Sequence, residues 1–188
     1  MIQTKQQLRE YLRIEKKIYT TKNKVRSLQN KLLGGPDIDL WNYIKAMRKR
    51  EYYFNNRRKS IIYALLNFLY TRKFNKLGRR LGIESGFAVF DMGVELYHTQ
   101  GTVINGDAKI GKNCKLHGAN VIGNKGTSLG VPVIGDNVRL GAKAMVLGDI
   151  YIADNVQIGA GAVVIHSCYE KGALLVGVPA KPHATNRL

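Results

Sequence analysis

Very little in this chain suits export or passage through a bilayer. Two cysteines in 188 residues cannot build a disulfide framework, which points to a reducing compartment. Cys114 falls at an inward corner position of the repeat described below and reads as buried packing, while Cys168 falls in an exit loop. The N-terminus is charged throughout and has no apolar core of the kind that signal peptides carry. The longest apolar run, Ile61 to Tyr70, is too short to span a membrane. These absences describe a cytosolic protein, working at the inner membrane face at most.

Acidic residues are scarce too, 13 against 30 Lys and Arg, and the imbalance is uneven. Residues 1–82 carry 21 basic against 5 acidic side chains, a net +16. Residues 83–188 carry 9 against 8, a net +1. The basic character belongs to the N-terminal segment, and such a segment seeks an anionic partner. No nucleic-acid-binding motif accompanies it, so an anionic lipid surface or an acidic substrate is the expected partner rather than nucleic acid.

What is abundant is a six-residue period. Ile104, Ile110, Leu116 and Ile122, then Ile134, Leu140, Val146, Ile152, Ile158 and Val164 keep one clock over 61 residues. A small or β-branched residue stands four places later at Ala108, Cys114, Val138, Ala144, Ile150, Val156 and Ala162. Neither a helix nor an amphipathic strand repeats every six residues. A fixed short period of this kind marks a parallel β-helix, three hexads to the triangular coil. The spacing therefore predicts a mainly β protein: a basic α-helical domain over 1–82, then a hexapeptide-repeat β-helix over 83–188. Three helices are expected in the first domain. They cover residues 3–33, from Asp37 or Asp39 as a cap to about Asn55, and from Ser60 as a cap to Leu77, with Gly78 as the stop. They are expected to seal the open end of the coil and to join subunits.

The clock is disturbed twice. Leu96 to Ile104 spans eight residues, so two extra residues bulge beside Tyr97 and His98. Ile122 to Ile134 spans twelve, and Asn124–Pro132 between them offers no inward residue, so a loop stands off one corner with the register kept. Val164 ends the clock, and Leu174–Pro182 packs back over the end of the coil. Counting faces puts His117 one coil from His98 on the same side, about 4.8 Å along. A neutral imidazole there can take a proton from an attacking hydroxyl. Two histidines are one short of a catalytic zinc site, so no metal is expected.

Tyr97-His98-Thr99-Gln100-Gly101-Thr102-Val103-Ile104 resembles the catalytic H-x-x-G-x-V-I stretch of serine acetyltransferases, in the hexapeptide acyltransferase superfamily. The likeness continues through Gly118, Gly135-Asp136-Asn137-Val138 and Gly177-Val178-Pro179-Ala180-Lys181, about residues 80–182. Val131-Pro132-Val133-Ile134-Gly135 and the short basic N-terminus are closest to a subgroup from surface-polysaccharide gene clusters. The resemblance implies a left-handed coil, a homotrimer (single or paired) and acetyl-CoA in the groove between coils. It implies His98 as general base, with Glu84, Asp91 or Glu95 to orient it, since Ile83 stands where the family has an aspartate. Val131 stands where serine acetyltransferases carry a second histidine. Tyr97, Asn105 and His117 are expected to contact the acceptor. Gly141, Ala142, Lys143, Ala160, Gly161 and Lys181 are expected to meet the coenzyme. The implied activity is an acetyl-CoA-dependent O-acetyltransferase whose acceptor is a sugar of a capsular polysaccharide or its precursor. Serine O-acetylation is the alternative. A catalytically silent trimeric scaffold is the alternative of another class.

Overall fold

The structure is a computed structural model, and it describes residues 1–19 and 36–183. Contacts divide the chain into two compact units, Met1–Leu81 and Gly82–Leu188.

The first unit is helical: α1 (Lys5–Tyr19), α2 (Pro36–Asn56) and α3 (Ile61–Leu81). Residues 20–33 of the expected first helix lie outside the described residues. The start of α1 is held by a reciprocal cap. The Gln7 amide donates to Thr4 Oγ1 at 3.1 Å and the Thr4 amide donates to Gln7 Oε1 at 3.0 Å. Ser60 caps α3 as expected, accepting from the Tyr63 amide at 3.4 Å. Asp39 does not cap α2. It lies inside the helix and pairs with Arg80 at 3.0 Å. Nor does Gly78 stop α3, which runs through it to Leu81. Gly78 is buried within the helix, which ends before Gly82, where φ is +66°. Between the helices Tyr43 stacks on Phe74 at 4.9 Å. Arg48 is wholly buried and held by Glu15 at 2.6 Å, an ion pair that only a matched geometry makes tolerable.

The second unit is a left-handed parallel β-helix, and its described residues form fourteen short strands, the last of them antiparallel. One face stacks β1 (Ile83–Ser85), β3 (Thr102–Ile104), β6 (Val121–Gly123), β9 (Met145–Leu147) and β12 (Val163–Val164). The second stacks β4 (Lys109–Ile110), β7 (Val133–Ile134) and β10 (Tyr151–Ile152). The third stacks β2 (Glu95–Leu96), β5 (Lys115–Leu116), β8 (Arg139–Leu140), β11 (Gln157–Ile158), β13 (Leu174–Gly177) and β14 (Ala180–His183). Every residue of the six-residue clock is buried and points into the prism. At one corner Asn113, Asn137 and Asn155 adopt φ near +60°. Their side chains form a ladder, Asn113 Nδ2 donating to Asn137 Oδ1 at 3.0 Å and Asn137 Nδ2 to Asn155 Oδ1 at 3.2 Å.

The stacking corrects two expectations. Ile122 lies on the first face and Ile134 on the second, paired with Ile110, so twelve residues advance the chain by one face rather than two. Asn124–Pro132 is thus a six-residue expansion of a single corner. Cys168 is not in an exit loop. It is buried, bridges Ile152 on the second face, and leads to Leu175 on the third, so the coil continues past Val164. The chain then reverses, and β14 pairs antiparallel with β13.

Candidate active site

The enlarged corner between β2 and β3 carries Tyr97 and His98. Corresponding corners below it take six residues from one inward side chain to the next, as from Leu116 to Ile122, and this one takes eight. The two extra residues push Tyr97 and His98 outward, and both are exposed. Gly118, one coil on, makes room for them: a Cβ there would run into the His98 carbonyl oxygen. With φ +109°, Gly118 holds a conformation that other residues avoid.

Tyr97 is fixed from two sides. Its hydroxyl donates to Glu95 Oε2 at 2.6 Å, and its ring stacks on His117 at 4.6 Å with planes 5° apart. Glu95 is held in turn by Lys115, 3.1 Å away. The Glu95 hydrogen bond, with burial, raises the Tyr97 phenol above its ordinary range, so Tyr97 stays protonated. His117 sits beneath that ring, and its Nε2 is shielded without a hydrogen-bond partner. Burial, followed by the charges of Arg139, His98 and Lys115, lowers its pKa, which keeps the ring neutral at neutral pH.

Asn120 is the residue that the repeat conceals. It occupies the corner slot four places after Leu116, where hexads elsewhere put a small or aliphatic side chain, and it is wholly buried. Its Oδ1 accepts from the Gly118 amide at 3.0 Å, and its Nδ2 donates to the carbonyls of Gly141 at 2.7 Å and Ala144 at 3.2 Å. A polar residue in that slot was the available signal. It pins the floor under His98.

Below His98 and Gly118 the same corner is built of small residues. The Lys143 amide donates to the Gly118 carbonyl at 2.8 Å, and the Gly161 amide donates to the Ala142 carbonyl at 2.9 Å. Gly141, Ala142, Lys143, Ala160 and Gly161 thus form one column in line with His98. Ala142, Lys143, Ala160 and Gly161 are exposed, and Gly161 borders open space. Lys181 lies further along the third face, on edge strand β14 opposite Val176.

Glu84 and Asn105 are elsewhere. Both line a groove of about 540 Å³ on the first face, with Ser85, Gly86, Gly106 and Asn124. Among the described residues no hydrogen bond joins Glu84 to His98. Asn105 Oδ1 accepts from the Asp107 amide at 3.0 Å and so shapes its own turn. Asp91 lies beyond Phe90 at another corner, and its Oδ1 accepts from Met92 N at 2.7 Å. Burial pushes the Cys114 thiol up to about 12, which leaves no thiolate nucleophile there. Among the described residues no three His, Cys, Asp or Glu side chains are grouped to hold a metal ion.

A family model, Bacterial transferase hexapeptide (six repeats), matches residues 132–166. Among solved structures, serine acetyltransferase from Neisseria gonorrhoeae superposes with a TM-score of 0.72 at 26% identity, covering 96% of this chain and 68% of that one. The same enzyme in complex with serine gives 0.68 at 27% identity, covering 96% and 70%. A serine acetyltransferase in complex with CoA shares the fold at 22% identity, with a TM-score of 0.62 over 77% of this chain and 57% of that one. No curated protein matches the sequence.

Proposed function

Because the chain is a hexapeptide-repeat acyltransferase-superfamily protein of the serine acetyltransferase-like kind, we propose that it transfers an acetyl group from acetyl-CoA to a hydroxyl, with His98 as general base. The observation that carries this is the enlarged corner, which presents His98 to solvent above a column of small residues. The neutral imidazole accepts the hydroxyl proton as that oxygen attacks the thioester carbonyl. Backbone amides stabilise the tetrahedral oxyanion. As the intermediate collapses, the carbon–sulfur bond breaks and His98 returns its proton to the departing thiolate. The coenzyme runs along the corner column, against Gly141, Ala142, Lys143, Ala160 and Gly161, with Lys181 meeting its phosphates. A trimer completes the groove from a neighbouring copy. Tyr97 and His117 form the acceptor's wall. Asn105 and Glu84 extend the acceptor side only through the groove on the first face.

For the acceptor, serine comes first. The solved structures compared above are serine acetyltransferases, one of them in complex with serine, and this supports reversing the order expected from the sequence. A sugar hydroxyl is the second reading, favoured by one observation. Glu95, two residues before Tyr97, is already engaged by Lys115 and the Tyr97 hydroxyl, so it is not open to an ammonium group. The half-exposed Tyr97 ring beside the base suits a sugar face instead.

The test is release of CoA thiol from acetyl-CoA with serine, nucleotide sugars or polysaccharide fragments as acceptor. His98→Ala is expected to lower turnover ~10²–10⁴-fold while leaving the fold intact, since the residue is exposed and outside the core. Retention of more than about a tenth of the activity would overturn the general-base role. Turnover with no acceptor in the panel would favour the silent scaffold.

A further inference from the structure

Helix α3 turns one continuous face to water, and that face has two halves. Ile61, Ile62, Leu65, Phe68 and Leu69 are exposed on its first turns, with Ile61 at 83% and Leu65 at 56%. At 100° per residue these positions fall within one broad stripe, with Leu65 near its middle. Past Leu69 the same stripe continues as Arg72, Lys73, Lys76 and Arg79, all exposed. Arg58 and Lys59, also exposed, stand just before the helix. The apolar half is thus bracketed by cations at both ends, and α3 contains no acidic residue. Lys73, Lys76 and Arg79 have no acidic partner among the described residues. Arg72 lies over the Phe68 ring at 5.7 Å, joining the two halves.

We propose that this face of α3 docks on an anionic lipid surface, lying in the interface with Ile61, Leu65, Phe68 and Leu69 among the acyl chains and the flanking Arg and Lys on head groups. Two features select that occupant. A polyanion such as nucleic acid or an acidic glycan would satisfy the cations but leave five large apolar side chains in water. A second copy of this chain would cover the apolar stripe but bring together two units of net +16. Crowding already tells inside one copy, where burial first and then Lys73, Lys49 and Lys16 lower the Lys45 pKa. An anionic bilayer surface answers both halves at once. None of the described helices is long and apolar enough to cross a membrane, so the contact is interfacial.

The test is flotation of the full chain with vesicles of phosphatidylcholine and phosphatidylglycerol in equal parts, against phosphatidylcholine alone. Binding is expected only with the anionic vesicles, at low salt, and is lost at high salt. Each juxtamembrane cation contributes about fivefold to partitioning, so R72E/K73E/K76E should weaken binding about a hundredfold or more. L65Q/F68Q/L69Q should weaken it comparably while keeping its helical signal and its acetyl transfer, because about half of each of these residues already faces water and none belongs to the buried core. No flotation with anionic vesicles would overturn the proposal. So would an L65Q/F68Q/L69Q variant that floats as well as wild type, which would reduce the contact to charge alone. A smaller assembly for that variant by light scattering would overturn it as well, and would assign the stripe to a second copy.

Discussion

At the scale of single residues, the site is a set of exceptions to a pattern, and only some exceptions were visible in advance. His98 was legible because it breaks a count: eight residues where six belong. His117 was legible by face counting, but its burial under Tyr97 was not, since sequence spacing says nothing about which ring lies on which. Asn120 was hidden because one polar letter among small ones does not disturb the period. The state of His117 yields a prediction. Its pKa lies below the ordinary value of 6.5 in the folded chain. The unfolded chain therefore binds more protons between the two values, so stability is full above the ordinary value and is lost as pH falls through it toward the folded one. Thermal unfolding followed from pH 7 downward should show this decline, and His117→Gln should flatten it. An equal decline in the variant would assign the pH dependence to other groups.

Among the elements, the strands were legible nearly residue by residue, because burial in a stacked coil is dictated by the six-residue period alone. What the period could not reveal was how a gap divides among faces. A twelve-residue gap fits two hexads or one enlarged corner, and only the pairing of Ile134 with Ile110 distinguishes them. The helices were legible in kind and less so at their ends, because Gly78 can break a helix or let another element come close. The corner that holds Asn124–Pro132 gives an element-scale prediction. Nine residues lie between β6 and β7, against three between β9 and β10 at the same corner. Deleting residues 125–130 leaves three, so the shortened chain should keep its inward ladders. The expected loss is limited to the contacts of the loop itself, such as Lys125 Nζ donating to the Ile165 carbonyl at 3.2 Å. Circular dichroism and thermal unfolding read the outcome, and collapse of the β signal would show that the loop holds the register.

For the whole molecule, the division of charge was legible from composition, whereas the exposed apolar face of α3 was not. The run from Ile61 to Tyr70 looked like packing, and only a three-dimensional account of which side chains find neighbours shows otherwise. The proposed groove needs a second copy, so the functional assembly should be at least three chains of 21.0 kDa each. Light scattering at working concentration measures this directly, and a fully active single chain would refute the shared groove. Finally, a stack of like turns has no natural length, since each strand offers its free edge to the next. On the third face the last edge among the described residues belongs to β14, which runs against its neighbour and carries Lys181 and Pro182. Proline withholds a donor and lysine resists burial, the two devices by which natural sheets refuse a further strand. On that face the reversed hairpin is therefore a terminator: it turns away the further strand that a self-templating stack would otherwise accept.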